Sequence, residues 1–402
     1  MKYKETAVVF GLSPTGLSAA RSLDRNGVAV YGVDVLRYEI GHFSKSVKHD
    51  KRISYLPAGP ELLAGLISFA KECPEKPVIF NANDYYIDFI AANRAELEPY
   101  FILTDSMRPE SNSVFLNKRT FYEVCEKIGV AMPRTFFPES DEEALAAAGK
   151  IRYPAIVKPS MGFKLRKLLR GKKLVEVADA EELMNWWRVF KEWNADVVLQ
   201  ECIGGSEQNI AVAGLYMDKN RVCRSLFTAK KYRQYPPMYG SASYIESKWM
   251  EEVAALSEDL ISKLGYHGVC GTEFKWDEAD RCWKLIEINC RPTLWFAITR
   301  ASGVDVVWDA YCDLRGRPNP VHRGGQTDGV RWQLFIRDMV SSVHFLRSRE
   351  LSFGEFWRTA IDQRNKEWAI CAWDDWGANF GYVVNTLAHI WTNFIKPPGD
   401  RA

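Results

Sequence analysis

The sequence predicts an α/β fold that begins with a parallel β-sheet, and observations near the N-terminus support that prediction. The apolar run TAVVFG ends in glycine, as a buried parallel strand often does. The segment LSPTGLSAARSLDRNG has helical periodicity, and VAVYGVD is predicted as a second strand. Farther along, PVIFNAND is predicted as a strand and YYIDFIAANRAELE as the helix after it. This β-α-β order implies a parallel sheet covered by helices.

The sequence of the central part of the chain predicts lobes of mixed helices and strands, of the α+β class. A domain boundary is expected near Ser106–Asn117, followed by a helix over Asn117–Gly129 and three strand segments, MPRTFFP, YPAIVKPS and DVVLQECIGG. EEVAALSEDLISKLG has the spacing of an amphipathic helix that ends at Gly265. GTEFKWDEADRCWKLIEIN predicts a β-hairpin with its turn at Asp277–Arg281. From about Val321 the chain is rich in Trp and is predicted to be irregular.

Composition excludes several classes of protein. The 402 residues allow about two to four domains of ordinary size. Lys and Arg number 53 against 51 Asp and Glu, and this near balance argues against a dedicated nucleic-acid-binding protein. No apolar stretch reaches the ~18 residues of a membrane span, and the first residues do not form a signal peptide. The nine cysteines form no CxxC pair, so we expect reduced thiols in a cytoplasmic protein.

The predicted hairpin carries two carboxylates and an amide. Glu273 lies on the first arm, while Glu287 and Asn289, two residues apart on the second arm, point to one face. A hairpin can bring Glu273 across to that face. Two like charges 4 Å apart repel by roughly 4 kcal/mol at an effective dielectric of about 20, and a cation such as Mg²⁺ removes that repulsion. The alternative interpretation is a solvated face with ordinary acidic residues.

Two lysines are candidates for binding phosphate. Lys158 lies in the otherwise apolar strand AIVKPS, where its ammonium group needs a partner or solvent. Lys118 opens a predicted helix, where a positive charge opposes the helix dipole. The alternatives are a strand-end lysine that reaches solvent for Lys158 and an exposed surface residue for Lys118.

The segment VLQECIGGSEQNI is a candidate for binding a nucleoside. Gln200 ends a strand whose exposed backbone groups could contact an adenine edge, and Glu207 follows seven residues later, where it could take ribose hydroxyls. Gly204 and Gly205 lie between them. The alternative interpretation of this segment is an ordinary turn.

These features occur in one order, and together they resemble the ATP-grasp superfamily of ligases. The matching segments are NKRTF, YPAIVKP, the Gln200–Glu207 block, GTEFKW and LIEINCRP. The resemblance covers about Met1–Leu314 and is closest to the D-aspartate ligase-like and carbamoyl-phosphate-synthase-like branches. It implies an ATP-grasp fold preceded by a parallel-sheet domain. The implied division is residues 1–112, residues 113–320 and a C-terminal extension over 321–402.

The resemblance implies a role for each matched residue. Lys118 and Lys158 would bind the phosphates of ATP, and Glu207 would hold the ribose. Adenine would be framed by Gln200, Glu201 and Cys202, partly through backbone atoms. Mg²⁺, or alternatively Mn²⁺, would be held by Glu273, Glu287 and Asn289. Arg291 would contact the transferred phosphoryl group or the acyl phosphate.

Two stretches match the family less closely. KKYRQYPPMYGSASYIES resembles the segment that completes the phosphate site in relatives, with Lys230, Lys231 and Arg233 as candidates there and a solvated basic loop as the alternative. Of these, Lys230 and Arg233 are catalytic candidates, as is Arg291. The loop after Lys158 is Gly-rich in many relatives, but here it is SMGFKLRKLLRGKK, with six basic residues that could cover phosphate or recognise an acidic substrate. Cys290 is expected to be inert packing.

The implied activity is ATP-dependent ligation of a small carboxylate to an amine through an acyl phosphate, with release of ADP and phosphate. Two other classes stay open. The segment FGLSPTG, with Gly11 and Gly16, and Asp34 after the second strand leave room for a nucleotide-dependent oxidoreductase. The other class is a catalytically idle module that binds ATP or a membrane.

The expected partners are small-molecule carboxylates and amines, with no nucleic acid, and the sequence indicates no oligomeric state. Asn83 and Asp84 follow a strand, where α/β ligand clefts form, and are weaker substrate-site candidates beside a structural turn. The tail WDDWGANFGYVVNTLAHIWTNFIKPP would either dock as an extension or make peripheral contact with a membrane or a partner.

Overall fold

The computed structural model divides into two compact units. The first unit is built from Met1–Asn112, Ala211–Thr272 and Asn289–Ala402, and the second from Ser113–Ile210 and Glu273–Ile288. The structure describes residues 4–115, 117–159, 174–362 and 364–390, with the backbone alone at 111–113, 118, 389 and 390. The basic loop from Lys164 to Lys173 therefore lies outside the described residues.

The described helices and strands are numbered in chain order. The helices are α1 (Pro14–Arg25), α2 (Pro60–Lys71), α3 (Asp84–Ala92), α4 (Arg94–Leu97), α5 (Pro109–Phe115), α6 (Lys118–Lys127), α7 (Asp141–Ala148), α8 (Ala180–Glu192), α9 (Glu251–Lys263), α10 (Ala297–Ala301), α11 (Val306–Leu314), α12 (Phe335–Arg347), α13 (Phe353–Phe356) and α14 (Trp376–Ile390). The strands are β1 (Thr6–Phe10), β2 (Ala29–Val33), β3 (Val78–Asn81), β4 (Thr135–Phe136), β5 (Ala155–Pro159), β6 (Val175–Val177), β7 (Val197–Glu201), β8 (Ile210–Met217), β9 (Cys223–Tyr235), β10 (Ser241–Ser247), β11 (Gly268–Asp277), β12 (Cys282–Asn289), β13 (His322–Arg323), β14 (Arg331–Gln333) and β15 (Lys366–Trp368).

The first unit opens with the parallel sheet that the sequence predicts. β1 lies between β2 and β3 and is parallel to both, so that Ala7 pairs with Val30 on one side and Val78 on the other. Every residue of β1 is buried, which explains its uninterrupted apolar sequence. α1 has Pro in its first turn, and the chain leaves it through Gly27 at φ +83°. The predicted fold class is confirmed.

The glycines after β1 are required by close packing. Gly11 has φ +82°, and a Cβ there would lie 2.5 Å from the Cβ of Asn83. A Cβ on Gly16 would lie 1.8 Å from the carbonyl oxygen of Gly11. Asp34 is buried and accepts the backbone N–H of Leu12 at 2.8 Å. Close packing therefore explains Gly11 and Gly16, and a backbone hydrogen bond explains Asp34. These are the residues that suggested a nucleotide-dependent oxidoreductase.

The C-terminal stretch of the first unit is regular, so the prediction of an irregular tail is wrong. β14 and β15 continue a mixed sheet in the order β8-β9-β10-β14-β15, and Trp332 of β14 is fully buried. α14 docks closely, since a Cβ on Gly377 would lie 1.9 Å from the carbonyl oxygen of Phe43. Each of these two strands has three residues, too few for alternation to be visible in the sequence.

The second unit contains an antiparallel sheet in the order β4-β7-β5-β6. One face of this sheet, including Val157 and Leu199, packs in a core with Trp187 and Phe190 of α8. The alternate residues of β5 and β7 point to the opposite face and include Lys158 and Gln200. β11 and β12 form the predicted hairpin, with a turn over residues 278–281.

Candidate functional site

Lys158 and Gln200 contact each other on the face of the second unit's sheet that is opposite the α8 core. Lys158 is half-buried, and its Nζ donates to Oε1 of Gln200 at 2.8 Å. Gln200 is buried, and its Nε2 donates to the hydroxyl oxygens of Tyr122 at 2.6 Å and Thr135 at 2.8 Å. The amide nitrogen is therefore fixed by two acceptors, and the amide oxygen faces the ammonium group.

Tyr122 connects this contact electrostatically to the hairpin. Burial raises the pKa of the Tyr122 phenol, hydrogen bonds with Gln200 and Thr135 oppose that shift, and the negative charge of Glu287 adds to it. The phenol is therefore neutral at physiological pH, and Glu287 acts on the group that holds Gln200, the partner of Lys158. The sequence did not indicate Tyr122, because its contact with Gln200 joins residues 78 positions apart.

Glu201 points to the other side of β7, into a cluster of buried charges. Nζ of Lys284 lies 2.8 Å from Glu201 and 2.9 Å from Asp277, and it also pairs with Asp280. Arg152 pairs with Asp277 and lies 3.6 Å from Glu201. The three carboxylates lie within 4.8 Å of one another, a spacing that suits a metal ion, but the cationic side chains of Lys284 and Arg152 already pair with them.

The shifted pKa values in this cluster follow from its contacts. Burial opposes ionisation of Asp277, but hydrogen bonds from Lys284 and Arg152 outweigh it and hold the pKa of Asp277 well below its usual range. Burial likewise opposes the charge of Lys284, but its bonds to Asp280, Glu201 and Asp277 hold its pKa above the usual value. The cluster thus fastens β7 to the hairpin. Lys284 was not predicted from the sequence, although Lys284, like Lys158, lies in an apolar strand.

The loop after β7 is fastened to its own unit. The backbone N–H of Cys202 donates to the carbonyl oxygen of Pro154 at 3.0 Å. Nζ of Lys275 donates to the carbonyl oxygen of Ile203 at 2.7 Å. Glu207 is buried at the start of a short 3₁₀ turn. The predicted adenine and ribose ligands therefore lie at the two ends of a loop with defined geometry.

The remaining ATP and metal candidates lie on α6 and the hairpin. Glu273 is half-buried on β11, and Glu287 is exposed on β12. Asn289 ends β12 and begins a stretch of the first unit. Lys118 begins α6, which Asn117 caps, but the side chain of Lys118 lies outside the described residues. The assignments of Glu273, Glu287 and Asn289 to a metal and of Lys118 to phosphate stay predictions.

In the first unit, Arg291 forms a bidentate ion pair with Asp84. Nε of Arg291 lies 2.6 Å from Oδ1 of Asp84, and Nη2 lies 2.9 Å from Oδ2. Asp84 is the first residue of α3, which Asn83 caps by accepting the N–H of Tyr85 at 2.9 Å. The sequence indicated Arg291 and Asp84 for different reasons, and the structure brings them together.

The basic residues Lys230, Lys231 and Arg233 lie on β9, so the alternative of a solvated basic loop is wrong. Lys231 and Arg233 are buried, and Lys230 is half-buried. The Arg233 guanidinium donates twice to Asp338 of α12, both times at 2.8 Å, which fastens that helix to the sheet. Burial lowers the pKa of Lys230, and the positive charge of Lys248 lowers it further. These contacts favour a structural role for Arg233 and leave Lys230 as the better catalytic candidate.

Comparison with known proteins identifies the fold. No family model matches the chain. D-aspartate ligase of Enterococcus faecium (strain Aus0004) is 23% identical over 248 residues, which make up 58% of each chain, so the match spans little more than half of that relative. The ADP complex of N5-carboxyaminoimidazole synthetase from Staphylococcus aureus matches with a TM-score of 0.62 at 14% identity, over 80% of each chain. The chain has an ATP-grasp fold.

A second solved structure supports the same ATP-grasp fold. The biotin carboxylase domain of Hydrogenobacter thermophilus 2-oxoglutarate carboxylase, in complex with MgADP, ADP and bicarbonate, matches with a TM-score of 0.60 at 16% identity. The match covers 82% of this chain and 74% of that domain. The ATP-grasp fold that the motifs indicated is therefore confirmed. Within this ATP-grasp chain, Lys158, Gln200, Glu201, Cys202 and Glu207 all belong to the second unit.

Proposed function

We propose that this chain is an ATP-dependent ligase that joins a small carboxylate to an amine. The γ-phosphoryl group of ATP passes to a carboxylate oxygen, which gives ADP and an acyl phosphate. The amine nitrogen then attacks the acyl carbon, the C–O bond to phosphate breaks, and the amine loses a proton. Because the substrates supply both reacting groups, the enzyme needs no side-chain nucleophile, and positioning and electrostatics lower the barrier.

The observation that carries this proposal is the contact between Lys158 and Gln200. A half-buried ammonium group, oriented by a buried amide oxygen at 2.8 Å, is a fixed positive charge in a poorly solvated place. Gln200 is neutral, so this hydrogen bond orients the ammonium group without being an ion pair. That arrangement suits a triphosphate, which a lysine binds as a point charge. Cys202 and Glu207 at the ends of the adjoining loop would hold the adenine and the ribose.

The residues of the hairpin fit a divalent cation. Carboxylates of Glu273 and Glu287 and the amide oxygen of Asn289 are hard oxygen donors of the kind that Mg²⁺ prefers, and Mn²⁺ accepts similar ligands. The charge of Glu287 already acts on Tyr122, which holds the partner of Lys158. When bound, the ion would neutralise charge on the phosphates. The name of the relative D-aspartate ligase makes amino acids the first substrates to test.

A phosphate-release screen with ATP, Mg²⁺ and pooled amino acids, small carboxylates and amines tests the proposal. We expect release that depends on both an acid and an amine, and we expect Glu287→Ala to reduce it at least ~100-fold. Glu278→Ala is the matched control, because Glu278 is an exposed carboxylate in the turn of the same hairpin. Equal turnover by Glu287→Ala and the control would refute the metal assignment. No release above ATP alone with any pool would refute the ligase.

We further propose that α14 makes peripheral contact with a membrane surface. Trp376, Phe380, Val383 and Leu387 follow helical spacing and are each at least 56% exposed, and α14 contains no Asp, Glu, Lys or Arg. Among the described residues, no helix is long and apolar enough to cross a bilayer. Exposed Trp and Phe on such a helix suit the headgroup region.

Sedimentation with phosphatidylcholine–phosphatidylglycerol vesicles tests this contact. We expect the protein to sediment with the vesicles and the double substitution Trp376→Gln and Phe380→Gln to abolish most of that binding. Leu145→Gln is the control, because Leu145 is equally exposed on α7 of the second unit. A wild-type protein that stays in the supernatant would contradict the proposal.

A further inference from the structure

The loop after β7 contains two consecutive glycines, and a side chain of the hairpin holds it. Gly204 and Gly205 are exposed, and Gly205 has φ +84°. Glycines leave a backbone many conformations, so an ordered loop needs contacts that select one of them. Lys275 supplies such contacts, because its Nζ donates to the carbonyl oxygen of Ile203 at 2.7 Å and to that of Gly205 at 3.2 Å.

These contacts fix two peptide groups, one at each end of the Gly204–Gly205 pair. A peptide group is planar and trans, so a carbonyl oxygen that is held towards Lys275 turns the N–H of the same peptide group away from it. The backbone N–H groups of Gly204 and Ser206 therefore have set directions. Donors that are oriented in advance lower the entropy cost of binding a nucleoside.

The charge and the position of Lys275 suit it to this task. Hydrogen bonds donated by an ammonium group are shorter and about twice as strong as those between neutral groups. Lys275 is half-buried on β11, two residues after Glu273, so the two side chains point to one face and their Cα atoms lie about 7 Å apart. One strand of the second unit therefore carries both the metal candidate and the residue that holds the loop.

The two ends of the loop have contacts that do not involve Lys275. The backbone N–H of Cys202 donates to the carbonyl oxygen of Pro154 at 3.0 Å, and the hydroxyl oxygen of Ser206 accepts the backbone N–H of Gln208 at 3.2 Å. These bonds would persist without the lysine. Removing the ammonium group of Lys275 should therefore loosen the glycines in the middle of the loop and leave the sheet intact.

We propose that Lys275 is a positioning residue for the nucleotide: it holds the middle of this loop in the conformation that receives the adenosine of ATP. Lys275 acts through the backbone of Ile203 and Gly205 and needs no contact with the nucleotide itself. This inference rests on the proposed function, because that function places the adenosine of ATP at this loop.

Binding of ADP with Mg²⁺, measured by calorimetry on the full-length protein, tests the inference without turnover. Lys275→Met keeps the apolar stem and removes the donors, so ADP should bind at least ~10-fold more weakly. Lys275→Arg keeps a cationic donor that can serve two acceptors, and it should bind ADP within about threefold of the wild type. Lys191→Met is the matched control, because Nζ of Lys191 on α8 also donates to a carbonyl oxygen, that of Glu139, at 3.3 Å.

Two further measurements separate positioning from a general loss of structure. Inorganic tripolyphosphate contains no adenosine, so it should bind Lys275→Met and the wild type equally. In turnover, the KM for ATP should rise at least ~10-fold in Lys275→Met, while kcat at saturating ATP stays within about twofold, because bound ATP orders the loop. A partly unfolded variant would lose kcat and tripolyphosphate binding as well.

Three results would overturn the inference: Lys275→Met binds ADP no more weakly than Lys191→Met, tripolyphosphate binding falls as much as ADP binding, or Lys275→Arg binds ADP no better than Lys275→Met. Turnover separates the inference from the proposed function. ADP binding that depends on Lys275, in a protein that releases no phosphate with any pool, supports this inference and refutes the ligase. Phosphate release with the wild-type KM for ATP in Lys275→Met does the reverse.

Discussion

Two lysines of the second unit, on opposite sides of one strand, show how differently this protein uses the same side chain. Lys284 lies among Glu201, Asp277 and Asp280, and the protein itself neutralises its charge. Lys158 is oriented by the neutral amide of Gln200. Both stand in apolar strands, so the strand sequence alone does not separate them. The groups that face them do: the ion pairs of Lys284 indicate a structural role, whereas for Lys158 we propose ligand binding.

Removing the charge of Lys158 should cause the greatest loss of activity. Lys158→Met keeps the apolar stem and removes the charge, so phosphate release should fall on the order of 100- to 1,000-fold. The free energy of unfolding should fall by only about 1–2 kcal/mol, because the buried Oε1 of Gln200 loses this donor. Lys191→Met, an exposed lysine on α8, is the control for both measurements. Normal turnover by Lys158→Met would show that its charge does not contact the phosphates.

Lys284→Met should show the converse behaviour. Removing the cation leaves Glu201 and Asp277 buried with Arg152 alone, and breaking a buried pair in this way costs about 3 kcal/mol. Urea unfolding followed by circular dichroism measures the loss, again against Lys191→Met. The activity per folded molecule should stay near the wild-type value. An unchanged unfolding midpoint would mean that the cluster contributes nothing to stability.

A smaller effect is expected in how the stability of the protein depends on acid pH. The folded-state pKa of Asp277 lies below its unfolded value of about 3.9, so its contribution is fully present above that pH and is lost as the pH falls further. Between pH ~5 and ~2 the wild-type protein should lose on the order of 1–2 kcal/mol more stability than Lys284→Met. Parallel acid profiles for the two proteins would contradict the assigned cause of the shift.

Elements with long periodic sequences were predictable, and contacts between distant residues were not. The strands that carry Lys158 and Gln200 and the hairpin that carries Glu287 lie where their apolar patterns predict. The pairing of Lys158 with Gln200 joins positions 42 apart, and that of Lys284 with Glu201 joins positions 83 apart. No local pattern encodes such contacts.

Dependence on distant residues also explains why the tail looked irregular and why Tyr122 and Lys284 were not predicted. β14 and β15 are stabilised by neighbouring strands rather than by their own three-residue sequences, so the tail looked irregular. Tyr122 and Lys284 were not predicted because their partners, Gln200 and Glu201, lie far away in the sequence.

Following one oxygen atom shows whether this chain activates a carboxylate with ATP. An acid that supports phosphate release is labelled with ¹⁸O in its carboxylate and turned over with ATP, Mg²⁺ and the amine, and the phosphate is analysed by mass spectrometry. We expect one ¹⁸O in each released phosphate, because the acyl phosphate breaks at its acyl carbon. Phosphate without label would show that water attacks ATP, and it would contradict the account.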